Sequence, residues 1–200
     1  LNWRAVTRRV EPESRLPLAL ARAFLESTPP NGVLFAMGDN DSYPLWYAQE
    51  VKGIRPDVAI ITIPLLPTRW YRDQIADRFG LVDSAGALRY DGRWEESSRI
   101  ADRAAELGRP VAATMIMNAR DRQLLRAGYW SAAGVVYVNG QPAPVDTAAT
   151  RRIAEWVRQE LGARSPRESI DPVHRYFRRM LDCPRQLLDT AIRGDSTRLD

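Results

Sequence analysis

The segment Gly38-Asp39-Asn40-Asp41-Ser42-Tyr43-Pro44-Leu45-Trp46-Tyr47 holds the chemistry-bearing side chains of this 200-residue chain in their densest run. Two carboxylates separated by one residue, Asp39 and Asp41, are hard oxygen donors. Together with Asn40 they could hold a divalent cation, the one cofactor this chain suggests. The same groups could pair with the hydroxyls of a sugar, with Tyr43, Trp46 or Tyr47 offering a ring for its apolar face. Trp70 and Tyr71 add two more rings further on. An anion at the start of the following helix is disfavoured, because two aspartates stand at its mouth. A purely structural reading stands beside these. Asp and Asn are favoured helix N-caps and tolerate turn geometry, so Asp39–Ser42 can simply start a helix.

Other reactive groups are few. His174 and Cys183 are the single histidine and the single cysteine. One cysteine cannot close an internal disulfide, and the pair cannot build a structural zinc site. No serine or cysteine nucleophile signature accompanies His174, which reads as a rim residue on a helix. Cys183, before Pro184, reads as a small buried side chain. In Arg55-Pro56-Asp57 the proline sets a turn and Asp57 is placed to pair with Arg55, a structural role. Arg69 and Arg72 flank Trp70 and Tyr71 and would be available to an acidic group.

The charge balance is 29 basic against 25 acidic residues, and Lys52 is the only lysine. The arginines are scattered and mostly sit beside acids, as in Arg72-Asp73 and Asp121-Arg122, so no basic stripe tracks a phosphate backbone and no nucleic-acid partner is expected. At 44% hydrophobic and 27% charged residues the chain is globular in composition. Its longest apolar stretches, Val58–Pro67 and Val111–Met117, fall far short of the ~20 residues that span a bilayer. Its first residues show no basic run followed by an apolar core, so no signal peptide is expected there, and a start at Leu1 suggests a processed product or a fragment of something longer.

These groups are positioned by an alternation of helices and strands. Helices are expected at Leu16–Leu25, Ser42–Lys52, Thr68–Phe79, Glu95–Leu107, Arg120–Ala127 and Asp146–Leu161, from apolar spacing and from caps such as Thr68 and Gly80. Short β-branched or apolar runs predict strands at Val33–Met37, Val58–Ile63, Pro110–Met117 and Val135–Val138, with Leu81–Gly92 a loop. Continuous apolar strands alternating with helices predict an α/β domain over residues 1–164. Its mostly parallel sheet of about four or more strands would be covered by helices on both faces, a Rossmann-like arrangement. Residues 165–200 read as a helical appendage packed on it, with Tyr176, Phe177, Met180 and Leu181 on its apolar face. In such sheets ligands bind outside the carboxyl ends of the strands. Asp39, Asn40, Asp41, Tyr43, Trp70 and Tyr71 would then surround one crevice if the first two strands are neighbours.

Asn31-Gly32-Val33-Leu34-Phe35, the run Gly38–Val51, Gly53-Ile54-Arg55-Pro56-Asp57-Val58 and Leu65-Leu66-Pro67-Thr68-Arg69-Trp70-Tyr71 together resemble a known family. It is the C-terminal part of bacterial protein O-mannosyltransferase-like membrane proteins, long of unknown function. Pro67 and Arg69 depart from that family's usual Asn and Asp. The likeness is dense from about Pro30 to Tyr71 and looser beyond, where it rests on Arg109-Pro110-Val111 and Tyr176–Leu187. The family is similar to lipid-linked-sugar glycosyltransferases, whose catalytic aspartate is expected in a membrane half that this chain lacks. The resemblance therefore implies a soluble, extracytoplasmic (periplasmic) accessory domain, not catalytic by itself. Its partners would be the transmembrane portion of its own parent protein and a glycan or protein acceptor. Two other readings stay open: a protein-interaction module without a small-molecule site, and a self-contained metal-dependent α/β enzyme using Asp39 and Asp41.

Overall fold

The structure, a computed structural model, describes residues 16–83 and 89–140. The expected helix Asp146–Leu161, the appendage over 165–200, His174 and Cys183 lie outside the described residues.

Helix α1 (Leu16–Ser27) is rich in Leu and Ala and buries Leu20, Ala23 and Phe24 along one stripe. It ends where Thr28 turns its hydroxyl back onto the Phe24 carbonyl at 2.8 Å and two prolines follow. The carbonyls left over at that end are taken by a distant arginine. Arg55 donates to Leu25, Thr28 and Pro29 oxygens, and Asp57 grips the same guanidinium through two 2.8 Å bonds. A second arginine strap is Arg109, which donates to the Asn31 and Gly32 carbonyls. Gly32 has no room for a side chain here, since a Cβ would sit 2.8 Å from the Thr28 methyl.

Strand β1 (Val33–Ala36) follows, fully buried. Helix α2 (Asp39–Trp46) continues directly into a π-helical turn at Tyr47–Val51. Then come β2 (Ala59–Thr62), a 3₁₀ turn at Ile63–Leu65, α3 (Arg69–Phe79), α4 (Arg93–Glu106), β3 (Val111–Thr114), α5 (Ala119–Leu125), β4 (Trp130–Ala133) and β5 (Val136–Asn139). Gly80 ends α3 with φ of 63°, the left-handed value that favours glycine after a helix. Leu107, placed by its sequence within this helix, lies just past the end of α4 and is exposed, whereas Ile100, Ala101 and Ala104 are buried.

The five strands form one sheet in the order β2-β1-β3-β5-β4. It is a mixed sheet, and the expectation of a mostly parallel one is corrected. The β1–β2 and β1–β3 pairs are parallel, but β3–β5 and β5–β4 are antiparallel. The cause is a strand the apolar pattern hides. Trp130-Ser131-Ala132-Ala133 has little β-branched character, yet it forms the outer edge as β4. Gly134 and Val135 then turn the chain in two residues, with positive φ at Gly134 only, as in a II′ hairpin turn. So α5 carries the chain one strand position too far, and β5 returns antiparallel to fill the gap.

Helices lie on both faces. On one, Leu20, Phe24 and Leu45 of α1 and α2 pack on Leu34, Ile60 and Ala112. On the other, Tyr71, Ile75, Ile100 and Ala104 of α3 and α4 pack on Phe35, Ile61 and Val111. Alternation along each strand sorts the side chains between the two layers.

Candidate functional site

The carboxyl ends of β2, β1 and β3 carry the small side chains Thr62, Ala36 and Thr114; Ala36 pairs with Thr62, and Thr114 follows Ala113, the partner of Phe35. The chain order crosses over between β1 and β3, the place where α/β sheets leave a crevice for ligands. Here Asp41 bridges it. The Asp41 carboxylate is 2% exposed and accepts from the Met37 N–H at 2.9 Å, the Gly38 N–H at 2.8 Å and the Thr114 hydroxyl at 3.1 Å. Burial raises its pKa above the ordinary 3.8, outweighing the hydrogen bonds that favour the charged form. Helix α2 starts earlier than its sequence suggests, at Asp39 with Gly38 as N-cap. Asp41 therefore serves the helix start from the third helical position, its carboxylate turned backward. Pro44 consequently falls in the second turn, where the carbonyl that loses its donor belongs to exposed Asn40. The Ser42 and Thr62 hydroxyls are buried nearby without a partner.

Asp39 and Asn40 are exposed at the same helix start. Neither shares a hydrogen-bond partner with Asp41. Among the described residues no group of three or more His, Cys, Asp or Glu side chains could hold a metal ion. With both Asp41 oxygens already taken by three donors, Asp39 and Asp41 do not supply the oxygen cage a divalent cation needs.

The aromatic residues gather elsewhere. Tyr43 packs on Trp46 with centroids 5.6 Å apart, Trp46 on Tyr71 at 6.5 Å, and Tyr71 on Trp70 at 5.5 Å. Tyr71 is buried and spoken for. Its hydroxyl accepts from the Thr62 N–H at 2.8 Å and donates to the Ile60 carbonyl at 3.3 Å. Both backbone groups lie on the open edge of β2, so Tyr71 occupies the place an added strand would take. Burial pushes its phenol above the ordinary 10.0. Trp70, by contrast, is 58% exposed, and Tyr43 is 57% exposed.

Over that strand edge runs a groove of about 250 Å³. One wall is Trp46 and Glu50, one turn apart on α2 and its π-helical continuation. The other is Trp70, Gln74 and Arg78, at i, i+4 and i+8 on α3 and so on one helix face. Ile60 of β2 lines it, with Tyr71, Ile75 and Phe79 behind. Arg78 and Glu50 join the walls by a 2.9 Å ion pair. The groove thus includes Trp46, Trp70 and Tyr71 of the residues singled out by sequence, with Tyr43 against Trp46 outside its lining. Asp39, Asn40 and Asp41 do not line it. Tyr47 sits outside it as well, exposed, with the Lys52 ammonium 5.6 Å from its ring centre. Glu50, Gln74 and Arg78 were missed from the sequence, although the four-residue spacing from Trp46 and from Trp70 was there to find them. Arg72 is not a surface cation awaiting an acid: it is buried, donates to the Leu66 carbonyl at 2.6 Å and lies over the Tyr90 ring.

Residues 18–85 match the family described as TMEM260-associated domain 2. The matched stretch runs from α1 through α3 and so contains the whole of the groove and Asp41 itself, but not Thr114, its partner on β3. No curated protein and no solved structure matches the chain. Among the described residues no helix is long and apolar enough to cross a membrane.

Proposed function

We propose that this chain is an accessory domain on the extracytoplasmic, periplasmic face of a bacterial membrane glycosyltransferase-like protein. There it would hold a glycan or a protein acceptor for the membrane half without catalysing the transfer itself. One observation carries the reading. The stretch similar to TMEM260-associated domain 2 is the stretch that builds the aromatic groove, and it coincides with the motif-dense run from Pro30 to Tyr71 that resembles the O-mannosyltransferase-like proteins. The site chemistry supports holding over catalysis, because the best-placed acid, Asp41, is locked into three hydrogen bonds inside the fold.

The reading is tested in cells that produce the chain from its native reading frame with a reporter enzyme, active only outside the cytoplasm, fused after Asp200. Reporter activity in the membrane fraction is expected. Activity confined to cytoplasmic reporters, or a product that leaves the membrane fraction in buffer, overturns it.

A second reading has an observation of its own. Tyr43, Tyr47 and Val51 are all exposed and follow one another at four-residue spacing on the outer side of α2 and its π turn. Such a stripe suits docking of the domain onto its own membrane half. Loss of co-purification with that half in a Tyr43→Ser, Tyr47→Ser variant, with reporter location unchanged, would separate docking from acceptor holding.

A further inference from the structure

We infer that the groove between the π turn and α3 is a binding site for one neutral pyranose ring. This rests on the acceptor-holding reading above and deepens it by naming the site and the ligand class. The first argument is chemical. Trp70 offers an exposed indole face, and Trp46 a half-buried one, on opposite walls. Sugar rings present C–H faces that stack on such rings, and their hydroxyls seek planar donors and acceptors at the rim. Gln74 supplies both from one amide, Glu50 accepts, and Arg78 donates. The Gln74 amide and the indole N–H groups of Trp46 and Trp70 have no protein partner among the described residues.

The second argument is electrostatic. Glu50 and Arg78 are paired at 2.9 Å, so the groove offers no net charge to an anion or a cation. A phosphate site would show convergent uncompensated donors, which this does not. The third is topological. A groove over a sheet edge ordinarily invites an extended peptide, which binds by backbone pairing. Tyr71 already holds the Ile60 carbonyl and the Thr62 N–H of that edge, which removes the ladder a peptide would use. The fourth is size: about 250 Å³ falls just below the range of roughly 300–1,000 Å³ typical of drug-sized ligands, and suits a single ring. The π turn matters to the geometry. It carries Glu50, which reaches across to Arg78, and its i→i+5 bonding makes it a wider turn than an α-helical one.

The test is titration of the full 200-residue chain with methyl glycosides of glucose, galactose and mannose, followed by the indole N–H resonances of Trp46 and Trp70. Saturable shifts with millimolar dissociation constants are expected for at least one glycoside. Trp70→Ala and Gln74→Ala, both at exposed positions, should each weaken binding at least tenfold while leaving the thermal unfolding midpoint in place. Asp39→Ala should bind as the parent does. The proposal is overturned if no glycoside shifts either indole, if Trp70→Ala binds unchanged, or if cyclohexanol produces the same saturable shift. Failure here with the reporter still extracytoplasmic removes the sugar site alone; failure of the reporter experiment removes the reading beneath it.

Discussion

Replacing Asp41 by alanine should cost far more stability than replacing its neighbour Asp39, although both are acids at one helix start. The magnitude follows from the partners. Asp41→Ala strands three donors, the Met37 and Gly38 N–H groups and the Thr114 hydroxyl. Each buried donor left unpaired costs about 1–3 kcal/mol, and the two backbone groups are half-buried where water can partly serve them. Against this stands relief of a buried charge. A net loss of about 2–4 kcal/mol is expected, compared with no more than about 0.5 kcal/mol for exposed Asp39. Urea unfolding at neutral pH measures both. Thr114→Val in a double-mutant cycle should show about 1 kcal/mol of coupling to Asp41, because the two share one bond across the sheet's crossover point. The pH dependence has a definite sign. Burial raises the Asp41 pKa in the folded state, so the increment of stability that comes from its protonation is fully present below 3.8 and is lost as pH rises through the raised value, while the hydrogen bonds it accepts still count at neutral pH. Asp41→Asn should abolish that decline. Equal losses for Asp39→Ala and Asp41→Ala, or coupling to Thr114 indistinguishable from zero, would refute the bridging role.

Asp57 should show the opposite pH behaviour. Its hydrogen bonds from Arg55 hold its carboxyl well below the ordinary 3.8, so its stabilisation is present above 3.8 and fades as pH falls below it. Acid titration of unfolding should show a shallower loss in Asp57→Asn than in the parent. Since the pair is partly exposed, Asp57→Ala is expected to cost about 1–2 kcal/mol at neutral pH, mostly through a loosened Arg55 cap on α1. Tyr71→Phe should lose about 1–3 kcal/mol in urea unfolding, since it leaves Ile60 and Thr62 backbone groups unpaired at a sheet edge. It should also raise concentration-dependent association, read by light scattering, modestly, since the Ile60 and Thr62 groups of the β2 edge lose their hydroxyl partner although the ring stays in place.

Periodicity in the chain determined where the helices and the buried strands lie. Runs such as Val33–Ala36 and Val58–Ile63, short, β-branched or apolar and bounded by turn residues, read as buried strands, and the stripe Leu20, Ala23, Phe24 reads as a core face, because apolar area leaves water wherever the chain allows. It also marked the aromatic residues and the pairing of Arg55 with Asp57, which is local. Strand direction was beyond its reach. Direction depends on which gap remains after β4 has paired, and β4 is a weak Ser-Ala-Ala run whose only signal is Gly134. The fates of Asp39 and Asp41 were equally hidden, since two residues of one type, two positions apart, differ only in which side of α2 meets Thr114, 73 residues later. The groove likewise exists only because α3 packs back over the β2 edge and lays Trp70, Gln74 and Arg78 opposite Trp46 and Glu50. Spacing along a helix tells which side chains share a face; what that face meets is settled by contacts between segments distant in the chain.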